Sequence, residues 1–398
     1  MINSKPKNII YISYDGVLEN IGQSQIKNYL LKLSKTFTIE LITFEKKIYL
    51  KDKIHFEKTK NDLERNGITW KYFIYERKFF IGFFINFNKL FFYLLYLALL
   101  NNKINYHCRS LIPSIACYFI SFFVNIKFIF DMRGFWIDEK SDRFGLKKSS
   151  FIYFFFKKLE SKIINKCSHI ITLTNDAKSI ILNSFPELDN EKIYVIPTCV
   201  DTEYFKPINL NKSITTSITL CYLGTIDGAY DIAVIINYFN NLKSINKNFK
   251  LRIYTKQINE LKKILSFSSN VENIEYSDVF RDEIVGELNN VDIGVFYLKD
   301  SFSIKGSFPT KIGEFLALGK PIICNNFNND IESILKDHKI GIISAFNNND
   351  IDDDVKLINH FINNRELLID KCRNFSINNI SIEIGSTKLS KIYKRTFF

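Results

Sequence analysis

The order in which apolar runs fall along this chain constrains its fold more than any other feature. Short β-rich runs occupy 8–13 (NIIYIS), 38–44, 126–130 (IKFIF), 169–173 (HIITL) and 193–196 (IYVI). A second series follows at 218–223 (ITLCYL), 249–254 (FKLRIY), 291–297 (VDIGVFY), 321–324 (PIIC) and 340–343. Helix-length segments lie between them, at 23–35, 151–166, 228–242, 283–289 and 310–318. Strands alternating with helices predict parallel sheets covered on both faces. The polar stretch 207–217 (PINLNKSITTS) divides the two series. The pattern predicts an α/β chain of two doubly wound, Rossmann-like domains facing a cleft. Residues 1–207 form the first domain, 208–217 a linker, 218–378 the second domain and 379–398 a final helix.

Composition narrows the function. With 398 residues, 46% of them hydrophobic, the chain buries an ample core and is not disordered. Its seven Cys are scattered and form no C-x-x-C, which argues against a disulfide framework or zinc ribbon and for a reducing compartment. The apolar run at the start reaches Asp15 too soon for a signal peptide, so a cytoplasmic protein is expected. The net charge of +12 is one-sided: residues 1–200 carry 30 Lys and Arg against 18 Asp and Glu, the remainder 24 against 24. A basic half attracts anionic lipid or phosphorylated substrates, and the inner face of the plasma membrane is one expected station. Compositional drift toward Lys, Asn, Ile and Phe is the alternative source of the charge. The basic residues are dispersed and no nucleic-acid module is present, so nucleic acid is not an expected partner.

The most apolar stretch, Phe79 to Leu100, is long enough to span a bilayer, but Asn86, Asn88 and Lys89 sit near its centre. A central Lys costs roughly 3 kcal/mol on insertion scales. Three readings stay open: a helix packed in the first domain, one dipping into the membrane interface, or a spanning helix.

Parallel sheets bind ligands beyond the carboxyl ends of their strands. Those positions hold Asp15 and Gly16, then Gly22 and Gln23; Asp131 and Arg133; Gly224 and Thr225; and the segment from Gly306 to Gly319, with Ser307, Thr310, Lys311 and Glu314. The last is the strongest chemical signal. Pro309 suits the first turn of a helix, so the amides near Thr310 and Lys311 form an anion site. Lysine there is disfavoured by the helix dipole, which weakens a purely structural explanation. Glu314, three residues on, shares a face with Lys311 and could accept both hydroxyls of a ribose. The plain alternative is an exposed i,i+3 ion pair, worth well under about 1 kcal/mol. Gly224-Thr225 and the Gly16/Gly22 pair could each let backbone approach a phosphate, though glycine turns between strand and helix are common. Asp352, Asp353 and Asp354 follow an Asn run and read as a solvated turn.

On these residues the chain resembles a retaining glycosyltransferase of family 4 with GT-B architecture. The resemblance rests on YISYDGVLENIGQSQ at 11–25, FDMRGFWIDE at 130–139, IPTCVDTEYFKP at 196–207, YLGT at 222–225 and SFPTKIGEFLALGKPII at 307–323. It implies that the second domain holds a nucleoside-diphosphate sugar through Gly224, Thr225, Ser307, Thr310, Lys311 and Glu314. The first domain would hold the acceptor, with Asp15, Gly16, Gly22 and Gln23 on that side, and the final helix would cross back to it. Arg133, Lys311 and Asp131 are the expected catalytic residues, with Arg133 either on an acceptor phosphate or behind the leaving group and Asp131 orienting it. No cofactor or metal is implied. The sequence departs from the family pattern twice. Gly306 stands where many members carry the first Glu of a Glu-x7-Glu pair, and 225–230 lacks their Arg and Lys. The expected acceptor is a glycan or lipid-linked sugar in surface-polysaccharide or lipopolysaccharide assembly. A sugar-nucleotide 2-epimerase and a non-catalytic sugar-nucleotide-binding subunit are the alternatives.

Overall fold

A computed structural model describes residues 8–77, 79–100, 105–208, 217–268, 270–279 and 283–398, with side chains of the helix at 79–100 described from Ile81 onward. The chain forms two compact units, Met1–Pro197 with Ile382–Phe398, and Thr198–Ser381.

The first unit is built on strands β1 (Ile9–Ser13), β2 (Ile39–Glu45), β3 (Ile68–Ile74), β4 (Asn105–Arg109), β5 (Lys127–Asp131), β6 (His169–Thr172) and β7 (Ile193–Val195). All pair in parallel, in the order β3-β2-β1-β4-β5-β6-β7. The second unit repeats the plan with β8 (Ile218–Leu223), β9 (Phe249–Tyr254), β10 (Ile274–Ser277), β11 (Ile293–Phe296), β12 (Ile322–Cys324) and β13 (Gly341–Ile343), ordered β10-β9-β8-β11-β12-β13. In each sheet the strand order reverses direction beside the first strand of the unit, the place where such sheets open a crevice. Burial of β1 and β8 at every residue follows from helices on both faces.

Three strands have no counterpart in the apolar runs of the sequence: β3, β4 and β10. β3 and β10 lie at sheet edges and carry polar or exposed residues. β4, Asn-Tyr-His-Cys-Arg, is central and wholly buried, with Tyr106 and Cys108 in the core and the polar residues alternating with them.

The unit boundary falls at 197/198 rather than at 207. Residues 198–208 are tied to the second unit: Val200 N–H donates to Ile380 O at 2.8 Å, Arg373 donates to Phe205 O at 2.8 Å, and Ile208 N–H donates to Asn289 Oδ1 at 2.9 Å. The expected linker at 208–217 lies almost wholly outside the described residues.

Helix α1 (Phe79–Leu100) packs one side on helix α2 (Leu111–Ile120), burying Leu90, Leu94 and Ala98. Its central Asn86 is fully buried, accepting from Glu76 N–H and donating to Glu76 O, both at 3.1 Å, so a polar residue in an apolar helix is matched. The other side stays apolar and exposed through Ile81, Phe84, Phe92, Tyr96 and Leu99. By length and composition this helix could cross a membrane. Helix α3 (Trp136–Phe144) and helix α4 (Phe151–Lys166) follow β5; in the second unit helix α5 (Thr310–Ala317) follows β11. Asp354 belongs to a buried helical turn, not a solvated one: it accepts from Tyr238 Oη at 2.9 Å and Ser344 Oγ at 2.6 Å. Helix α6 (Ile382–Phe397) closes the first unit.

Candidate functional site

In the first unit the side chains beyond β1, β4 and β5 converge because register aligns them. Tyr11 pairs with His107, and Arg109 pairs with both Ser13 and Asp131. Residues two apart share a face, so His107, Arg109 and Asp131 face one side of the sheet. The Tyr11 and His107 rings stack at 4.3 Å. His107 Nε2 meets Asp131 Oδ2 at 3.3 Å, and the other ring nitrogen meets Tyr393 Oη of α6 at 3.1 Å. Arg109 Nη1 lies 3.8 Å from the same Asp131 oxygen.

Electrostatics fixes the charge states. Burial pushes Asp131 up, but Arg133, His107 and Arg109 outweigh it and hold the carboxyl below its ordinary range. Burial lowers His107, and the two arginines lower it further against Asp131, so the imidazole is neutral at pH 7. Tyr11 is pushed up to about 12 by burial and stays a phenol. Burial, then Arg109, pulls Arg133 down from its ordinary value. Arg133 has a left-handed backbone, φ 54°, ahead of Gly134 at φ 120°. A long side chain held there is strained, and strain of about 1–3 kcal/mol clusters at functional sites. Asp131 and Arg133 are therefore brought together, and His107, Arg109 and Tyr393 join them.

The loop after β1 is organised differently from the expectation. Glu45, fully buried at the end of β2, accepts from Val17 N–H at 2.7 Å, Leu18 N–H at 3.2 Å and Thr43 Oγ1 at 2.6 Å. Within the turn where Gly16 and Gly22 were expected to let backbone approach a phosphate, the Val17 and Leu18 amides already bind a carboxylate of the chain itself. Gly16 and Gly22 are required by packing: a Cβ at Gly16 would lie 2.4 Å from Glu45 Oε2, and one at Gly22 2.0 Å from Gly16 O. Gln23 is buried and donates to Val17 O at 2.7 Å and Thr59 Oγ1 at 3.1 Å, closing the loop rather than reaching outward. Asp15 is exposed.

In the second unit, Gly224 N–H donates to Tyr254 O at 3.1 Å and Ile226 N–H to Gln257 Oε1 at 2.7 Å. The amide of Gly224 therefore serves the sheet, and the loop presents Thr225, Asp227 and Gly228, all exposed. The Thr225 carbonyl accepts from Tyr222 Oη. Pro309 is the N-cap of α5, one position earlier than expected, and no side chain caps the helix. Thr310 and Lys311 thus occupy its first two positions, where N–H groups have no partner within the helix. Lys311 Nζ donates to Glu314 Oε2 at 2.9 Å; the lysine is half-exposed and Glu314 is buried. The ion pair weighed as the plain reading exists, but with its carboxylate buried it is not a solvated surface pair. The ammonium carries three donors and this pair uses one. Ser307 is anchored next to it, its carbonyl accepting from Asn328 Nδ2 at 2.9 Å.

Among the described residues no three His, Cys, Asp or Glu side chains are grouped as metal ligands.

Residues 206–381, a span wholly within the second unit, match the family model described as glycosyl transferases group 1. No curated protein sequence matches the chain. Among solved structures, a glycosyltransferase from Rickettsia africae ESF-5 aligns at TM-score 0.70 and 16% identity over 98% of each chain. Anabaena Alr3699/HepE in complex with UDP-glucose aligns at 0.67 and 10% over 98% of this chain and all of that one. The lipopolysaccharide outer core galactosyltransferase WaaB aligns at 0.61 and 13% over 97% and 99%. At these identities the likeness is one of fold. The chain has the two-sheet α/β fold of GT-B glycosyltransferases over nearly its whole length, and its second unit carries the group 1 glycosyltransferase pattern.

Proposed function

We propose that the protein is a retaining, metal-independent glycosyltransferase that moves a sugar from a nucleoside-diphosphate sugar to an acceptor hydroxyl on a lipid-linked glycan. The carrying observation is the start of α5, where uncapped amides, Lys311 and buried Glu314 lie together within the matched span. Amides and ammonium stabilise the diphosphate as its charge develops, and the carboxylate takes the ribose hydroxyls. Ser307 and Thr225 complete the donor side. Acceptor residues belong to the first unit, around Arg133 and Asp131, with Asp15 at its exposed edge. The likeness to a structure solved with UDP-glucose and to one described as a lipopolysaccharide galactosyltransferase supports this reading.

The exposed side of α1 supports a peripheral seat on an anionic bilayer at the cytoplasmic face. Its apolar row joins Phe151, Phe154 and Phe155 of α4 through the Phe83–Phe156 contact, in the half of the chain that holds the whole net charge. Apolar insertion and electrostatic attraction then both act through the first unit. Co-sedimentation with phosphatidylglycerol vesicles should fall as salt rises; retention that only detergent reverses would mean insertion of α1.

The deciding experiment titrates the full chain with nucleoside diphosphates and follows products of the matching sugar nucleotides by NMR. Transfer with retained anomeric configuration supports the proposal. An isomerised nucleotide sugar, or binding without turnover, overturns it.

A further inference from the structure

The charged cluster of the first unit holds more positive charge than its own residues neutralise. Arg109 and Asp131 are each 4% exposed, and two guanidiniums, Arg109 and Arg133, stand against the single carboxylate of Asp131. The next carboxylate within electrostatic reach of Arg109, Asp15, is exposed to solvent. Three polar atoms here have no hydrogen-bond partner: Arg109 Nε, Arg133 Nε and Asp131 Oδ1. A buried unpaired donor or acceptor costs about 1–3 kcal/mol, more when charged, so three in one place call for an explanation. They line one small pocket of about 10 Å³, on the order of one water molecule, with Gln25, Tyr29 and His107. Two irregular backbone features frame it: the left-handed Arg133 and a π-helical turn at Gln23–Lys27 that carries Gln25. π-turns recur at functional sites.

We infer that this pocket is an oxyanion subsite for a phosphoryl group of the acceptor, with Arg109 and Arg133 donating to its oxygens and Asp131 Oδ1 accepting from an adjacent hydroxyl. The two guanidiniums come from different strand ends. A tetrahedral phosphoryl group presents oxygens to both, whereas one guanidinium fork saturates the two coplanar oxygens of a carboxylate. The pocket has room for about one oxygen atom, so one oxygen of the group enters it and the rest of the ligand stays outside. Neutral His107, held between Asp131 and Tyr393, positions the carboxylate without adding a further positive charge. The inference rests on the glycosyltransferase reading only for the word acceptor.

The test is calorimetric titration of the full chain at low salt with glucose 1-phosphate, glucuronate and methyl glucoside. Glucose 1-phosphate should bind, Arg133→Gln should weaken it at least tenfold, and Lys311→Ala should leave it unchanged. Loss in Lys311→Ala instead would place the phosphate in the second unit and overturn the inference, as would glucuronate binding equally well or no binding at all. Should Arg133→Gln fail to fold, Gln25→Glu tests the same point by supplying the missing negative charge. It should raise the melting temperature and abolish glucose 1-phosphate binding; unchanged binding overturns the subsite. UDP titrated into the same samples separates the two readings. Sugar phosphate binding without UDP binding keeps the subsite and removes the donor assignment, and UDP binding alone does the reverse.

Discussion

The two units place a strand-to-helix turn with glycine beyond the end of their first strand, both occupy amides of that turn from within, and they leave room for an anion in different places. In the first unit the turn after β1 is filled from within, because buried Glu45 takes the Val17 and Leu18 amides. In the second unit anion-binding capacity sits at the start of α5, where no side chain caps the helix and Lys311 stands half-exposed. The same topology therefore does not imply the same ligand. What decides is which donors each unit leaves without an acceptor of its own. The first unit concentrates its uncompensated charge instead in side chains at the ends of β4 and β5.

The sharpest way to break this contrast is to remove the internal anion. Glu45→Ala orphans two buried amides and the Thr43 hydroxyl, each worth about 1–3 kcal/mol when left unsatisfied. The melting temperature should fall by more than for any other single change discussed, and Glu45→Gln, which keeps an acceptor, should fall less. A Glu45→Ala protein with an unchanged melting temperature would mean the amides are not held by Glu45, and the turn would again be a candidate phosphate loop.

The second unit should respond more in function than in stability. Lys311 lies where the helix dipole opposes it, but its loss leaves buried Glu314 without its ammonium, so Lys311→Ala should lower the melting temperature of the protein alone by less than Glu45→Ala does. A charged contact to the diphosphate is worth about 1.5–3 kcal/mol, so kcat/KM with donor should drop more than tenfold. Glu314→Gln should cost about tenfold in nucleoside diphosphate affinity by calorimetry, through loss of charge-assisted acceptance from the ribose. If Glu314→Gln destabilises the fold and leaves affinity intact, the Lys311–Glu314 pair is structural and the contrast between the units disappears.

The sequence makes the second unit more legible than the first. Most of its candidate site lies in one continuous run, Ser307 to Glu314, where helix-start chemistry can be read residue by residue, with Thr225 apart. The first unit's cluster is assembled from Tyr11, His107, Arg109, Asp131, Arg133 and Tyr393, joined only by strand register and by the return of α6. Strand β4 is not an apolar run, because alternate positions carry its polar residues. The signal was there as alternation: Tyr106 and Cys108 enter the core while His107 and Arg109 face the pocket. Glu45 could not be assigned at all, since its role depends on two amides almost thirty residues earlier in the chain.

The smallest expected effect is a pH dependence confined to the first unit. His107 is surrounded by Tyr11 on β1, Arg109 on its own strand, Asp131 and Arg133 at the end of β5, and Tyr393 on α6. Burial and both arginines lower its pKa, so the unfolded chain binds a proton below about pH 6.5 that the folded chain refuses. The unfolded state then holds more protons than the native one, and stability falls as pH drops below that value, by at most about 1.4 kcal/mol per pH unit. Glu45 opposes this trend. Burial raises its carboxyl, so the folded state takes up a proton first and acidification favours folding through that group. The two must be separated by difference. His107→Gln lowers stability at every pH by disturbing Asp131 and Tyr393, but it removes the titration. The melting-temperature gap between wild type and His107→Gln should therefore be widest near neutral pH and narrow between pH 6.5 and 5. A gap that stays constant across that range would show that His107 takes up its proton as readily in the folded chain as in the unfolded one, and a gap that widens would show it held protonated; in either case the first unit's pocket would carry a different charge from the one its geometry indicates.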